Sequence, residues 1–119
     1  MTVSGLVITP MQGTVVVGFR QTSILDAATV DAIAVELYPL IDQQAHRRIV
    51  LDFQQVQFLS SSMLGVLINM HRKAQAIKGR IVLCGIRPEL MRVFKIMKLE
   101  EMLEFADNES EAMSLLFGK

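Results

Sequence analysis

Hydrophobic positions along this chain change period several times, and each change marks an element. Gly5-Leu6-Val7-Ile8-Thr9 and Thr14-Val15-Val16-Val17-Gly18-Phe19 are β-branched runs, and Pro10-Met11-Gln12-Gly13 separates them as the turn of a hairpin. From Asp26 the period becomes helical. Val30, Ile33, Ala34, Leu37 and Ile41 fall on one face, with Asp26 as the cap. Pro39 interrupts that face and predicts a kink or a stop near Tyr38.

Ile49-Val50-Leu51-Asp52-Phe53 is a nearly continuous apolar strand, the kind buried on both faces of a parallel sheet. A second helix follows Ser60-Ser61-Ser62. Leu64, Leu67, Ile68 and His71 form its stripe, with Met63, Val66 and Met70 beside it. Lys78-Gly79 closes it, the glycine being placed as a C-terminal cap. Ile81-Val82-Leu83-Cys84 repeats the buried-strand signal. Pro88 then opens a helix where its missing N–H is no loss, and Leu90, Val93, Phe94 and Met97 line the inner face. Leu103-Glu104-Phe105 reads as a last short strand. Asn108 with Glu111 resembles a capping box for a final helix carrying Ala112, Leu115 and Leu116. The order ββαβαβαβα predicts an α/β fold. Its mixed sheet has an N-terminal hairpin and is otherwise mainly parallel, covered by about four helices.

Composition narrows the function classes. The 119 residues suit one domain, 1–119, without repeats or linkers. Twelve basic and twelve acidic residues cancel, and His46-Arg47-Arg48 is too short for a nucleic-acid footprint. Cys84 is the single cysteine, which excludes an internal disulfide and argues against a metal cage; it reads as a buried thiol. No cofactor or metal is expected. No apolar run approaches the roughly 20 residues that span a bilayer, and no leader pattern opens the chain. The expectation is a cytoplasmic protein that does not engage membranes.

Candidate chemistry gathers at Ser60-Ser61-Ser62, where a buried segment enters a helix. Three readings fit. In the first, Ser60 is the N-cap and its neighbours fill the first turn. In the second, one serine is a nucleophile. Gly-x-Ser-x-Gly is absent, however, and His71 lies roughly 15 Å along the same helix. His46 precedes the strand that leads to the serines, at the other end of the sheet. In the third, the serine loop is a phosphate switch. A helix start accepts an anion, and a phosphoserine there adds up to about two negative charges to the surface.

The stretch Leu51-Asp52-Phe53-Gln54-Gln55-Val56-Gln57-Phe58-Leu59-Ser60-Ser61-Ser62-Met63-Leu64-Gly65 resembles the central motif of the STAS domain family. Leu25-Asp26 at the first helix, the strand Arg80-Ile81-Val82-Leu83, and Pro88 with Phe94 agree in order. The resemblance implies an anti-sigma factor antagonist, a non-enzymatic partner-switching regulator. Such a protein binds an anti-sigma factor, usually a serine kinase, and a phosphatase reverses the phosphorylation. Ser61 matches the phosphorylated position. Ser60 stands where the family has aspartate and Met63 where it has glycine. Ser60, Ser61, Ser62 and Met63 are the expected contact loop, and a weak homodimer is compatible with the resemblance. A non-phosphorylated STAS scaffold subunit of a larger signalling complex is the alternative among binding modules. A small serine hydrolase is the alternative from another class.

Overall fold

The computed structural model describes residues 5–117, so the outermost residues of the expected 1–119 domain lie outside it. Strands β1 (Leu6–Met11) and β2 (Thr14–Phe19) form the antiparallel hairpin. Its turn is only Gln12-Gly13, both with positive φ (50° and 82°), the backbone of a tight two-residue loop. Pro10 and Met11 therefore belong to β1 and not to the turn. Because β1 is the edge of the sheet, the missing N–H of Pro10 removes no ladder bond between strands.

Strands β3 (Ser23–Ile24), β4 (Arg48–Asp52), β5 (Phe58–Leu59), β6 (Arg80–Cys84) and β7 (Glu104–Ala106) follow, interleaved with four helices. The helices are α1 (Ala27–Asp42), α2 (Ser61–Ala76), α3 (Pro88–Ile96) and α4 (Glu109–Phe117). The main sheet has the order β1-β2-β4-β6-β7, with every pairing after the hairpin parallel. Ile49, Val50 and Leu51 sit opposite Ile81, Val82 and Leu83 at its centre.

Alternation along these strands builds two cores. Val15, Val17, Ile49, Leu51, Ile81 and Leu83 face α1, α2 and α3. Val16, Val50, Val82 and Cys84 face α4, which contributes Ala112 and Leu116. This explains why β4 and β6 read as unbroken apolar runs: both of their faces are covered. Leu115, expected inside, is instead exposed on the outer side of α4.

Three local expectations change. First, α1 runs through Pro39 to Asp42. Burial of Leu37, Leu40 and Ile41 holds its last turn. The hydrogen bond that Pro39 cannot make falls opposite Val35, which is 71% exposed, so that carbonyl is on the solvent side. Second, the left-handed residue that ends α2 is Lys78 (φ 60°) and not Gly79. Gly79 is needed for a different reason, since a Cβ there would stand 2.9 Å from the backbone of Arg47. Third, α3 buries only Leu90 and Phe94; Val93 and Met97 are exposed. Met97 has already left the helix, and Lys98 turns the chain away with φ 59°.

Candidate functional site

The serines are positioned by a small structure outside the main sheet. β3 and β5 pair in parallel, Ser23 with Phe58 and Ile24 with Leu59. The Ser60 amide extends the pairing by donating to the Ile24 carbonyl at 2.9 Å. The loop from β4 to β5 is anchored at both ends. Asp52 Oδ1 accepts the Gln54 amide at 2.9 Å, and the Gln57 amide donates to the Thr22 carbonyl at 2.7 Å. Val56 plugs the loop into the core, fully buried.

Each short strand runs straight into a helix, so the starts of α1 and α2 lie side by side. Asp26 caps α1, accepting the Thr29 amide at 3.0 Å and the Thr29 hydroxyl at 2.8 Å. The hydroxyl and the amide of Thr29 together hold the Asp26 carboxyl below its usual range. Ser60 caps α2 as expected: its backbone is extended (φ −82°, ψ 164°), and Oγ accepts the Met63 amide at 3.1 Å. Ser60→Ala should therefore lower stability by about 1 kcal/mol, read from the urea midpoint.

Ser61 and Ser62 are exposed in the first turn of α2, where backbone amides have no acceptor within the helix and no acidic side chain shares the turn. Met63 is corrected. It is 0% exposed and belongs to the core with Leu64, Leu67 and Met70, so it offers no surface to a partner. At the third position of the helix its side chain points inward, and its flexible thioether fills the space beneath the cap.

Two residues that sequence reasoning left out of the site flank the serines. Leu25 and Phe58 are 55% and 57% exposed. Leu25 follows Ile24 and so lies beside Ser60, while Phe58 is paired with Ser23. Alternation holds the available signal: with Ile24 and Leu59 turned inward, their neighbours must turn out. Leu25 and Phe58 are thus exposed apolar side chains on the two short segments that lead into the α1 and α2 starts.

Neither histidine is placed beside the serines by the order of the elements. His46 Nε2 lies 2.9 Å from Gln44 Oε1, just before β4 and away from the serines that follow β5. His71 is ten residues beyond Ser61 in α2, roughly 15 Å away. Cys84 is buried and its thiol is pushed up to about 12, mainly by burial and then by the charges of Asp52 and Glu109. It stays protonated and inert. Among the described residues no helix is long and apolar enough to cross a membrane.

The sequence profile of the STAS domain matches residues 8–112, nearly the whole described chain. The chain belongs to the STAS domain family. The anti-sigma F factor antagonist of Paenibacillus polymyxa is 27% identical over 97 residues, 82% of this chain and 83% of that protein. The Bacillus cell fate determinant SpoIIAA, solved in its phosphorylated form, matches with a TM-score of 0.71 at 26% identity. That match covers 92% of this chain and 97% of SpoIIAA. A chain of the stressosome, a signal integration and transduction hub, shares the fold with a TM-score of 0.70 at 23% identity, over 93% of this chain and 96% of that one. In this STAS chain the family's aspartate position holds a hydroxyl engaged in the helix cap. The family's glycine position holds a core side chain.

Proposed function

We propose that this STAS domain, 1–119, is an anti-sigma factor antagonist of a bacterial cytoplasm, working by binding and not by catalysis. Its partner is an anti-sigma factor with serine-kinase activity, gripped through Ser60, Ser61, Ser62 and the apolar pair Leu25 and Phe58. Phosphorylation of Ser61 releases the partner and a phosphatase restores binding.

One observation carries this reading. Ser61 presents its hydroxyl to solvent at a capped helix start whose fold does not depend on it. A phosphate there meets free amides and the positive end of the α2 dipole, so the domain tolerates it. A partner lying on Leu25 and Phe58 would not, because the added charge enters a desolvated contact. The relatives named anti-sigma factor antagonists support the same role.

The test uses the purified protein, ATP and the serine-kinase anti-sigma factor from the same cell. Phosphate is expected on Ser61 by peptide sequencing, with loss of the complex. Ser61→Ala should still bind and take up no phosphate. Phosphate on Ser60 or Ser62 alone, or a complex that survives modification of Ser61, would overturn the assignment.

A further inference from the structure

Two basic stretches, each too short for a footprint alone, meet at the amino end of the parallel strands. Arg48 and Arg80 open β4 and β6, and Arg47 and Lys78 stand just before them. Parallel pairing puts Arg48 level with Arg80, and the Arg80 amide donates to the Arg47 carbonyl at 2.7 Å. Gly79 permits this approach, having no Cβ to meet the Arg47 backbone. The four cations, with Leu116 of α4, line a cavity of about 250 Å³. Among the described residues no acidic side chain lines it.

Alternation sets the direction of the row. Ile49 and Ile81 face α1, α2 and α3, so Arg48 and Arg80 face α4. There Arg80 Nε donates to Glu104 Oε2 at 3.0 Å and Nη1 to the Leu115 carbonyl at 2.8 Å. Arg48 lies over the Phe117 ring, 4.5 Å from its centroid. Arg47 and Lys78 are exposed and join no ion pair among the described residues. One carboxylate thus stands against four cations, in a chain whose twelve basic and twelve acidic residues cancel. The row continues into β2. Thr14 precedes Val15, the partner of Ile49, and so stands level with Arg48 on the same face. Its hydroxyl is buried, with the residue 1% exposed, and has no hydrogen-bond partner among the described residues.

We propose that this cavity binds a small, multiply charged oxyanion of the phosphate class, at a site separate from the serine switch. Cations gathered without counter-charge repel one another, and an oxyanion among them removes that repulsion. The guanidinium groups supply paired N–H donors in the fork that phosphate oxygens fit, and Lys78 adds a point charge. The cavity is smaller than the roughly 300–1,000 Å³ of sites for drug-sized ligands, which suits a pyrophosphate-sized group better than a whole nucleotide. The last carbonyls of α4 oppose an anion, and Arg80 already takes that of Leu115. Because the site joins the starts of β4 and β6 to the last turn of α4, occupancy fastens that helix over Val16, Val50 and Val82.

An amide NMR titration of the full chain with pyrophosphate tests this, at an ionic strength held constant with sodium chloride. Resonances of Arg47, Arg48, Lys78, Gly79, Arg80 and Leu116 should shift, and those of Ser61 and Ser62 should not. Saturating pyrophosphate should raise the urea midpoint, as a ligand of the folded state alone does. Arg47→Gln combined with Lys78→Asn removes the two unpaired cations, and asparagine tolerates the left-handed backbone at position 78 (φ 60°). Without ligand this variant should unfold like the unaltered chain. It should bind pyrophosphate about tenfold more weakly or worse, the effect of losing one charge-assisted hydrogen bond. Shifts confined to the start of α2, or an equal affinity in the double variant, would overturn the site. So would a response to sodium chloride alone that matches the response to pyrophosphate.

Discussion

Ser61→Asp is expected to unfold within a few tenths of a kcal/mol of the unaltered protein while binding the proposed anti-sigma factor partner about 30-fold more weakly or worse. The first half rests on where Ser61 sits. Ser60 and not Ser61 accepts the Met63 amide, so the substitution leaves the cap intact. A carboxylate in the first turn of α2 is favourable by about 0.3–1 kcal/mol at an exposed site. The second half rests on the neighbours. Leu25 and Phe58 expose apolar surface on the segments that lead into the α1 and α2 starts, and a partner seated on them and on the serines excludes water from Ser61. A new charge that is unpaired in such a contact opposes binding by about 2–5 kcal/mol, and the lower figure is already about 30-fold. Calorimetric titration against the partner, beside urea unfolding of each variant, reads both halves. If Ser61→Asp binds as tightly as the unaltered chain, the switch does not operate at this position. The serine face is then a constitutive docking surface, as a scaffold subunit would need.

How much of this was legible in the sequence depends on how local the deciding physics is. Caps are local. Asp26 with Thr29, Ser60 with Met63, and Asn108 with the Glu111 amide at 2.8 Å all form as their residue types imply. Even there a detail escapes: Glu111 reaches back to the Asp107 amide, one residue before the position a capping box uses. Central strands are legible because residues 49–51 and 81–83 are apolar at every position, which only a doubly covered strand satisfies.

What was not legible depends on tertiary neighbours. β3 and β5 have two residues each, too few for any period, and exist because each finds the other. Leu90, Val93, Phe94 and Met97 match a helix face by spacing. A nine-residue helix at the side of the sheet buries a narrower stripe than that spacing implies. Met63 shows the same limit inside the site. Its place in the motif suggests a contact residue, and only the position of the core relative to the first turn of α2 shows that it points inward. The serines were identifiable from cap chemistry, whereas Leu25 and Phe58 required the pairing of β3 with β5.

Phe94→Ala is expected to lower unfolding free energy by about 3–5 kcal/mol, and Met63→Ala by about 2–5 kcal/mol. Phe94 is 0% exposed, and its ring meets Phe105 edge-on with centroids 5.3 Å apart. It is one of the two buried residues of α3, so removing it also loosens that helix from the sheet. Folded domains of this size have about 5–15 kcal/mol in total, and either loss is a large fraction of that. Urea unfolding followed by circular dichroism measures the cost, with an unchanged slope showing that the midpoint shift is a stability loss. Met63 also separates two views of the serine loop. As a core residue, its truncation lowers stability yet leaves affinity for the anti-sigma factor nearly unchanged at temperatures where the variant is folded. As a contact residue, it would give the opposite pair of results. A stability loss below about half a kcal/mol for Met63→Ala, with binding impaired, would return this side chain to the surface and redraw the partner-facing loop.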